Sequence, residues 1–414
     1  MTGGRIATLD GLRGIAVMGI LLMNVNAFAM PFAAYDNPAA YGSLRPADVA
    51  LWAVEFVFVD GKMRAIFSAL FGASLLLVTD RAEAAGRSAV RTHYARMATL
   101  LLFGLLHACL VWEGDILTLY ALVGMVAFSA RRLAVERLLV LAAMLLAFQT
   151  AILGVHYQAL AALGEAAARP NPAAADVAAW RALIDDIGRV RPAVLAQDLA
   201  LHRGPWAPLA RSMTAERGGS LVAEFLFAGS ETLGLMLLGM AGLRSGFLSG
   251  DWSADAYRRV ARIAYAIGLP AMAALSVLLI ARDFPPLLVA AITELVALPF
   301  RWLLGVAHGA VLILWLRHGL SPLHRRLAAA GRCAFTNYLG TSLLMTAVFD
   351  GWGLGLYGRV ERWLLLPFVF ATWAIMLGWS KPWLERFAFG PLEWLWRALA
   401  RAAIPPLRVK TIES

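Results

Sequence analysis

A chain of 414 residues that is 60% hydrophobic and only 15% charged, with a mean hydropathy of +0.68, is excluded from the ordinary soluble class, where about a quarter of residues are charged. The net charge of +10 does not indicate nucleic-acid binding, because the basic residues form short clusters at the ends of apolar runs, as the positive-inside rule requires. Runs near 20 apolar residues recur along the chain, which predicts an all-α, polytopic transmembrane helical bundle with the lipid bilayer as its solvent.

In chain order, hydropathy places spans near 12–30, 48–79, 97–113, 115–130, 133–155, 219–243, 259–281, 286–317, 333–350 and 360–380. The first is read as a span rather than a cleaved signal peptide. Ile15 to Met30 is followed by Pro31, Tyr35 and Asp36, not by a small-residue cleavage site. Segment 48–79 is too long for one upright crossing and too short for two, and Glu55, Asp60, Lys62 and Arg64 interrupt it. Segment 286–317 has the same difficulty, with Glu294, Pro299, Arg301 and His308 inside it.

Counting each awkward segment once puts every short basic cluster on one side, which gives about ten spans with both termini cytoplasmic. The expected organisation is an N-terminal membrane bundle over 1–155, an external loop or small lid over 156–217, a C-terminal bundle over 218–380 and a cytoplasmic amphipathic tail over 381–414. Arginine dominates the basic residues, since only Lys62, Lys381 and Lys410 are lysines, which suggests a GC-rich bacterial genome and so a multi-pass protein of the bacterial inner membrane. Two cysteines, Cys109 and Cys333, make neither a disulfide framework nor a structural zinc site, and no metal is expected.

His107 is the leading candidate for chemistry, because an ionisable group carried into hydrocarbon is expensive and normally binds, moves or reacts with something. Asp115 follows eight residues later, on the same face if the helix is continuous, while Gly114 offers a break that leaves the geometry open. Glu113 lies off that face. A carboxylate beside the imidazole fixes its tautomer and raises its basicity, which suits a general base, although a lone helical histidine also serves as an interhelical hydrogen-bonding group.

Asp10 and Arg13 share a helix face and can pair, or can simply cap and anchor the first span. Asn24 and Asn26 are polar deep in that span, and Glu55, Glu231 and Asn337 are further intramembrane polar groups, each also readable as packing glue. Lys62 and Arg64, after the Asp60-Gly61 break, are placed in a water-filled cleft or in mutual neutralisation.

Several motifs together are similar to one bacterial family. These are Leu9-Asp10-Gly11-Leu12-Arg13-Gly14 with Asn24, Phe67 to Gly72, Phe103-Gly104-Leu105-Leu106-His107 with Gly114-Asp115-Ile116-Leu117, Gly331-Arg332 with Thr336-Asn337-Tyr338-Leu339, and Phe389-Gly390-Pro391-Leu392-Glu393-Trp394. They resemble the YeiB-type family, whose C-terminal half is the domain of unknown function 418. The opening motif also looks like that of transmembrane acyltransferases that modify surface sugars and heparan sulfate. That resemblance implies transfer of an acyl group, usually acetyl from an acyl-CoA co-substrate, to a hydroxyl or amine of a small-molecule, glycan or lipid acceptor. In the polysaccharide-modifying branch a histidine follows the arginine after ten intervening residues, where this chain has Asn24, so either His107 supplies the base from another span or this branch does not transfer acyl groups.

The sequence reading is therefore an acyltransferase in which His107 deprotonates the acceptor and Asp115 orients it. Arg13, Lys62 and Arg64 hold the coenzyme A phosphates at the cytoplasmic mouth, and Asp10, Asn24, Asn26, Glu55, Glu113, Glu231 and Asn337 shape the substrate site. The alternative is a proton-coupled permease of a small solute, which the lack of an evident internal repeat counts against. A homo-oligomer is compatible with either reading, and a third reading, a non-enzymatic membrane partner or scaffold, leaves the intramembrane polar residues over-supplied.

Overall fold

The computed structural model describes residues 7–188, 190–317 and 321–408; Lys410 and the rest of the expected tail beyond 408 lie outside them. Every regular element among the described residues is a helix, and the β pairing there is one isolated bridge between Phe387 and Arg408. The chain runs α1 (Ala7–Ala29), α2 (Ala33–Asp36), α3 (Pro46–Phe58), α4 (Lys62–Ala84), α5 (Ala89–Leu110), α6 (Leu117–Ala127) and α7 (Val135–Ala167). It continues through α8 (Ala174–Ile187), α9 (Pro192–His202), α10 (Trp206–Arg244), α11 (Ala254–Ala281), α12 (Pro286–Ala290) and α13 (Leu298–Arg317). Last come α14 (Pro322–Arg332), α15 (Ala334–Phe349), α16 (Leu366–Arg386) and α17 (Pro391–Arg401).

Local chemistry sets several starts. Ser88, Ser253 and Ser321 each accept a hydrogen bond from the backbone N–H three residues on, at 3.2, 3.2 and 3.3 Å, and so cap α5, α11 and α14. Proline opens α3, α9, α14 and α17, where its missing N–H costs nothing.

Eight segments among the described residues are long and apolar enough to cross a membrane: α1, α3 with α4, α5, α7, Leu221–Arg244 of α10, α11, α13 and Arg362–Arg386. The other two expected spans are shorter helices, α6 with 11 residues and α15 with 16. Each still runs alongside a long neighbour. Gly104 of α5 faces Thr118 while His93 Nε2 meets Gly124 O at 2.9 Å, so α6 runs back along α5. Asn337 meets Ser380 and Phe349 meets Phe368, so α15 runs antiparallel to α16.

Both awkward segments are broken helices. The first breaks at Gly61, which has φ +72°, a left-handed conformation that side chains resist. The carbonyls freed at the end of α3 are taken by side chains: Lys62 Nζ donates to Phe56 O at 2.5 Å and His308 Nε2 to Phe58 O at 2.9 Å. The second opens with α12, passes through a π-helical turn at Ala291–Val296 and resumes as α13. There Arg301 Nη1 donates to Thr293 O at 2.6 Å.

The expected division at 155 and 218 falls inside helices, because alanine-rich sequence carries α7 on to Ala167 and α10 already begins at Trp206. Nor are the two halves separate bundles. α1 packs along α14 and α15, and α4 along α10 and α13, so one bundle interleaves both halves. The expected amphipathic tail is α17, but it is docked on α5 and α15 rather than lying free at the surface.

α4 and α10 run parallel and cross closely, with the Gly239 Cα against the Ala69 backbone and the Gly72 Cα against Met236. A side chain at either glycine would overlap backbone atoms. Gly239→Val should therefore destabilise the protein by about 1–3 kcal/mol or more, through overpacking that no rotamer change relieves. Thermal unfolding of the detergent-solubilised protein, followed by size-exclusion fluorescence, checks this.

Candidate active site between two cavities

Two cavities lie end to end within the bundle. One, about 430 Å³, opens at the arginine-rich end, and the other, about 520 Å³, at the end that carries α8 and α9. Tyr338 of α15 lines both.

The arginine-rich cavity is strongly basic. Arg13, Arg81, Arg96, Arg332 and Arg397 line it against only Asp10 and Glu393. Arg13 pairs with Asp10 at 3.1 Å, as the i, i+3 spacing predicts. Arg96 stacks on the Trp396 ring at 4.1 Å, and Trp396 Nε1 donates to Arg96 O at 2.9 Å, which fixes α17 as a wall. Glu393 of α17 accepts from the backbone of Phe335 and Thr336, at 2.8 and 3.1 Å, and from Thr336 Oγ1 at 2.6 Å. It therefore caps the start of α15 from another helix.

His107 and Asp115 come together, but not along a continuous helix. α5 stops at Leu110, and the chain turns through Trp112 and Gly114 to bring Asp115 back onto the imidazole, with Nδ1 to Oδ1 at 2.9 Å. Asp115 Oδ2 accepts from Thr118 N at 2.8 Å and Thr118 Oγ1 at 2.7 Å, so the same carboxylate closes the open first turn of α6. Arg217 of α10 stands 3.9 Å from Asp115 and 2.9 Å from Glu224. A carboxylate acceptor on Nδ1 requires the proton there, which leaves the lone pair on Nε2. That Nε2 is buried and without a hydrogen-bond partner. His107 lines neither cavity. The rings of Tyr338 and Trp112, 5.6 and 6.3 Å away between centroids, are its nearest aromatic neighbours, and both face the larger cavity.

The expected phosphate-binding trio is split. Arg13 stands at the arginine-rich cavity, whereas Lys62 and Arg64 begin α4, whose 23 residues span about 34 Å at 1.5 Å per residue before reaching that end. Lys62 is completely buried, capping α3, and Arg64 binds Glu231 at 2.8 Å on the wall of the larger cavity. Glu231 also accepts from Trp302 Nε1 at 2.8 Å.

The substrate residues also scatter. Asn24 and Glu231 line the larger cavity, and Asp10 the smaller one. Asn26 donates to Glu55 and to Met23 O, both at 3.2 Å, behind the wall, and its Oδ1 is buried with no hydrogen-bond partner among the described residues. Asn337 is consumed by packing, donating to Ala330 O at 3.0 Å and Ser380 at 3.3 Å and accepting from Trp379 at 2.9 Å. Glu113 lines neither cavity; it lies in the turn after α5, where burial raises its pKa, opposed by the charge of His202. The sequence reading overlooked Asp36, Arg96, Arg217 and Arg397, whose only signal was a charge beside an apolar run.

Outside the spans, α9 is latched to the loop after α15. His202 stacks on Tyr357 at 4.1 Å, meets Asp350 at 3.3 Å and Asp198 at 3.7 Å, and its carbonyl accepts from Gly351 N at 2.7 Å. Tyr357 Oη donates to Asp198 at 3.0 Å. Burial opposes the charged imidazole, but the hydrogen bond with Asp350 and the charges of Asp198, Asp350 and Glu113 outweigh it, so the His202 pKa lies above the ordinary histidine value.

Relatives cover the entire architecture. The chain is 34% identical to the uncharacterized protein YeiB of Escherichia coli K12, over 98% of this chain and 99% of the relative. The chain belongs to the YeiB family. It is also 30% identical to the uncharacterized protein YxaH of Bacillus subtilis 168, over 99% of this chain and 98% of that protein. Residues 243–403 match the family described as Protein of unknown function (DUF418). In this YeiB-family chain that region runs from the end of α10 through α17, so it supplies Tyr338 and the α17 wall but neither His107 nor Asp115. No solved structure matches the chain.

The latch has a definite pH sign. A folded pKa above the unfolded value of about 6.5 adds stability that is complete below that pH and is lost as pH rises through the folded value. After division by the base-catalysed intrinsic rate, the hydrogen-exchange protection of α9 should therefore be greatest in mild acid and fall toward alkaline pH, and His202→Gln should flatten that fall.

Proposed function

We propose that this protein is a transmembrane acyltransferase that takes its acyl donor at the arginine-rich cavity and its acceptor at the larger one. The observation that carries this reading is the end-to-end pair of cavities meeting at Tyr338, with the His107–Asp115 pair directly behind that residue. Five guanidiniums around about 430 Å³ suit a phosphate-rich carrier such as an acyl-CoA, since arginine binds phosphate oxygens bidentately. The positive-inside rule then puts this cavity in the cytoplasm of a bacterial inner membrane, with about ten crossings when α6 and α15 are counted.

In the transfer, His107 Nε2 takes the proton of an acceptor hydroxyl or amine while the acceptor atom bonds to the thioester carbonyl carbon. The C–S bond then breaks, and the imidazolium returns the proton to the departing thiolate. Asp115 keeps the proton on Nδ1 throughout, and Thr118 keeps Asp115 in place. Because His107 lies behind Tyr338 and Trp112, the step requires those rings to swing aside.

His107→Ala should lower acyl transfer from acetyl-CoA by about 10²–10⁴-fold while leaving membrane insertion and coenzyme A binding intact. Wild-type turnover in that variant would end this mechanism. Replacing Arg13, Arg332 and Arg397 together by Gln should abolish saturable coenzyme A binding, measured by isothermal titration on protein in nanodiscs. The same two cavities, divided by one aromatic layer, also suit alternating occlusion of a small solute. Counterflow of solute in proteoliposomes without any acyl-CoA would favour that permease.

A further inference from the structure

The two cavities differ in sign. The larger is lined by four carboxylates, Asp36, Asp60, Glu231 and Glu294, against two guanidiniums, Arg64 and Arg301, and the imidazole of His156 near Glu294, which is the reverse of the balance at the arginine-rich end. Glu231 is matched by Arg64 at 2.8 Å, and Asp60 is matched directly by Arg301. That leaves Asp36 and Glu294, which make no hydrogen bond or ion pair among the described residues although both face the cavity. Carboxylates on such a wall call for a counter-charge. The aromatic rings of Tyr35, Trp112 and Tyr338 also line the cavity, and such rings favour a cation.

A second polar demand is of the opposite kind. Arg301 lines the same cavity and is only 7% exposed, and its Nε is buried without an acceptor although Nη1 and Nη2 are both engaged. That Nε is closed off in the described geometry, and a small movement of the guanidinium toward the cavity would bring it to a ligand oxygen.

We infer that the larger cavity binds a primary amine that also carries a hydroxyl, an amino alcohol. Its ammonium lies between Asp36 and Glu294, and its oxygen accepts from Arg301. This deepens the acyltransferase reading and rests on it for one step, in which the amine is the acyl acceptor and the product is an amide. The ammonium loses one proton to solvent on becoming a free amine, and the C–N bond forms as the C–S bond breaks. The second N–H proton passes through His107 to the thiolate, so amide and free thiol leave together.

The test uses the full chain in nanodiscs, without acyl-CoA, titrated calorimetrically with 5-aminopentan-1-ol and with pentane-1,5-diol, and with empty nanodiscs as the control. The amino alcohol should bind saturably and at least about tenfold more tightly than the diol, and Asp36→Asn with Glu294→Gln should remove that preference. Asp36→Glu, which restores the charge, should retain it in an otherwise wild-type chain. Equal binding of the two probes, or an undiminished preference in the double variant, overturns the proposal. So does a loss of preference in Asp36→Glu equal to that in Asp36→Asn. Coenzyme A binding, measured in parallel, separates the two claims. Amine binding without coenzyme A binding defeats the acyltransferase reading and leaves the amine site standing. Coenzyme A binding without amine preference defeats the amine site alone. A variant that also loses coenzyme A binding is judged misfolded, and Asp36→Glu then decides.

Discussion

Hydrocarbon offers no hydrogen bonds, so a helix that breaks inside this bundle must find its lost partners in other side chains. Three of the breaks, at 59–61, 111–116 and 291–297, have such partners. Lys62 and His308 take the carbonyls of Phe56 and Phe58. Trp206 Nε1 and Thr214 Oγ1 take those of Leu110 and Cys109, at 2.8 and 3.3 Å. Arg301 takes that of Thr293. All three breaks face the larger cavity, through Asp60 and Gly61, through Trp112, Gly114 and Ile116, and through Thr293 and Glu294. A further interruption, between α14 and α15 at Cys333, faces the arginine-rich cavity, so both cavities lie where the helical ladder is interrupted, and the polar groups around them are partly the means by which those interruptions are tolerated.

That constraint explains which intramembrane charges hold the structure and which are left over for a ligand. Lys62 is the clearest case of the first kind, since all of its side chain is buried and its ammonium is committed to a carbonyl. Asp115 serves both purposes at once, closing α6 through Thr118 while orienting His107. The geometry of the His107–Asp115 pair is therefore tied to the start of a helix, which holds the imidazole more firmly than a loop would.

Much of this was legible in the sequence. The two over-long apolar segments with charges inside them, 48–79 and 286–317, are the two broken helices, and Gly61 stood at the first break because only glycine accepts its positive φ without strain. The pairing of His107 with Asp115 was also readable, although the eight-residue spacing suggested one helix face where the chain in fact turns back. Depth was not readable. Arg13, Lys62 and Arg64 look alike as cations near apolar runs, and only the direction of α4 separates them by the thickness of the bundle. Nor does sequence disclose that Asn337 is used up by Ser380, Trp379 and Ala330, since contacts across 42 or 43 positions leave no local pattern.

The cap that α17 places on α15 bears on how the chain is made. Glu393 lies 57 residues beyond Thr336, so the first turn of α15 reaches the membrane well before the carboxylate that satisfies it has been synthesised. Until then the N–H groups of Phe335 and Thr336 have only water or lipid headgroups to bond, and the arginine-rich cavity lacks its Trp396 wall. A nascent chain arrested between the two positions would hold an assembled α1–α14 bundle with an open basic trough. Closure of that trough is therefore among the last events of assembly, reserved for chains translated through residue 397.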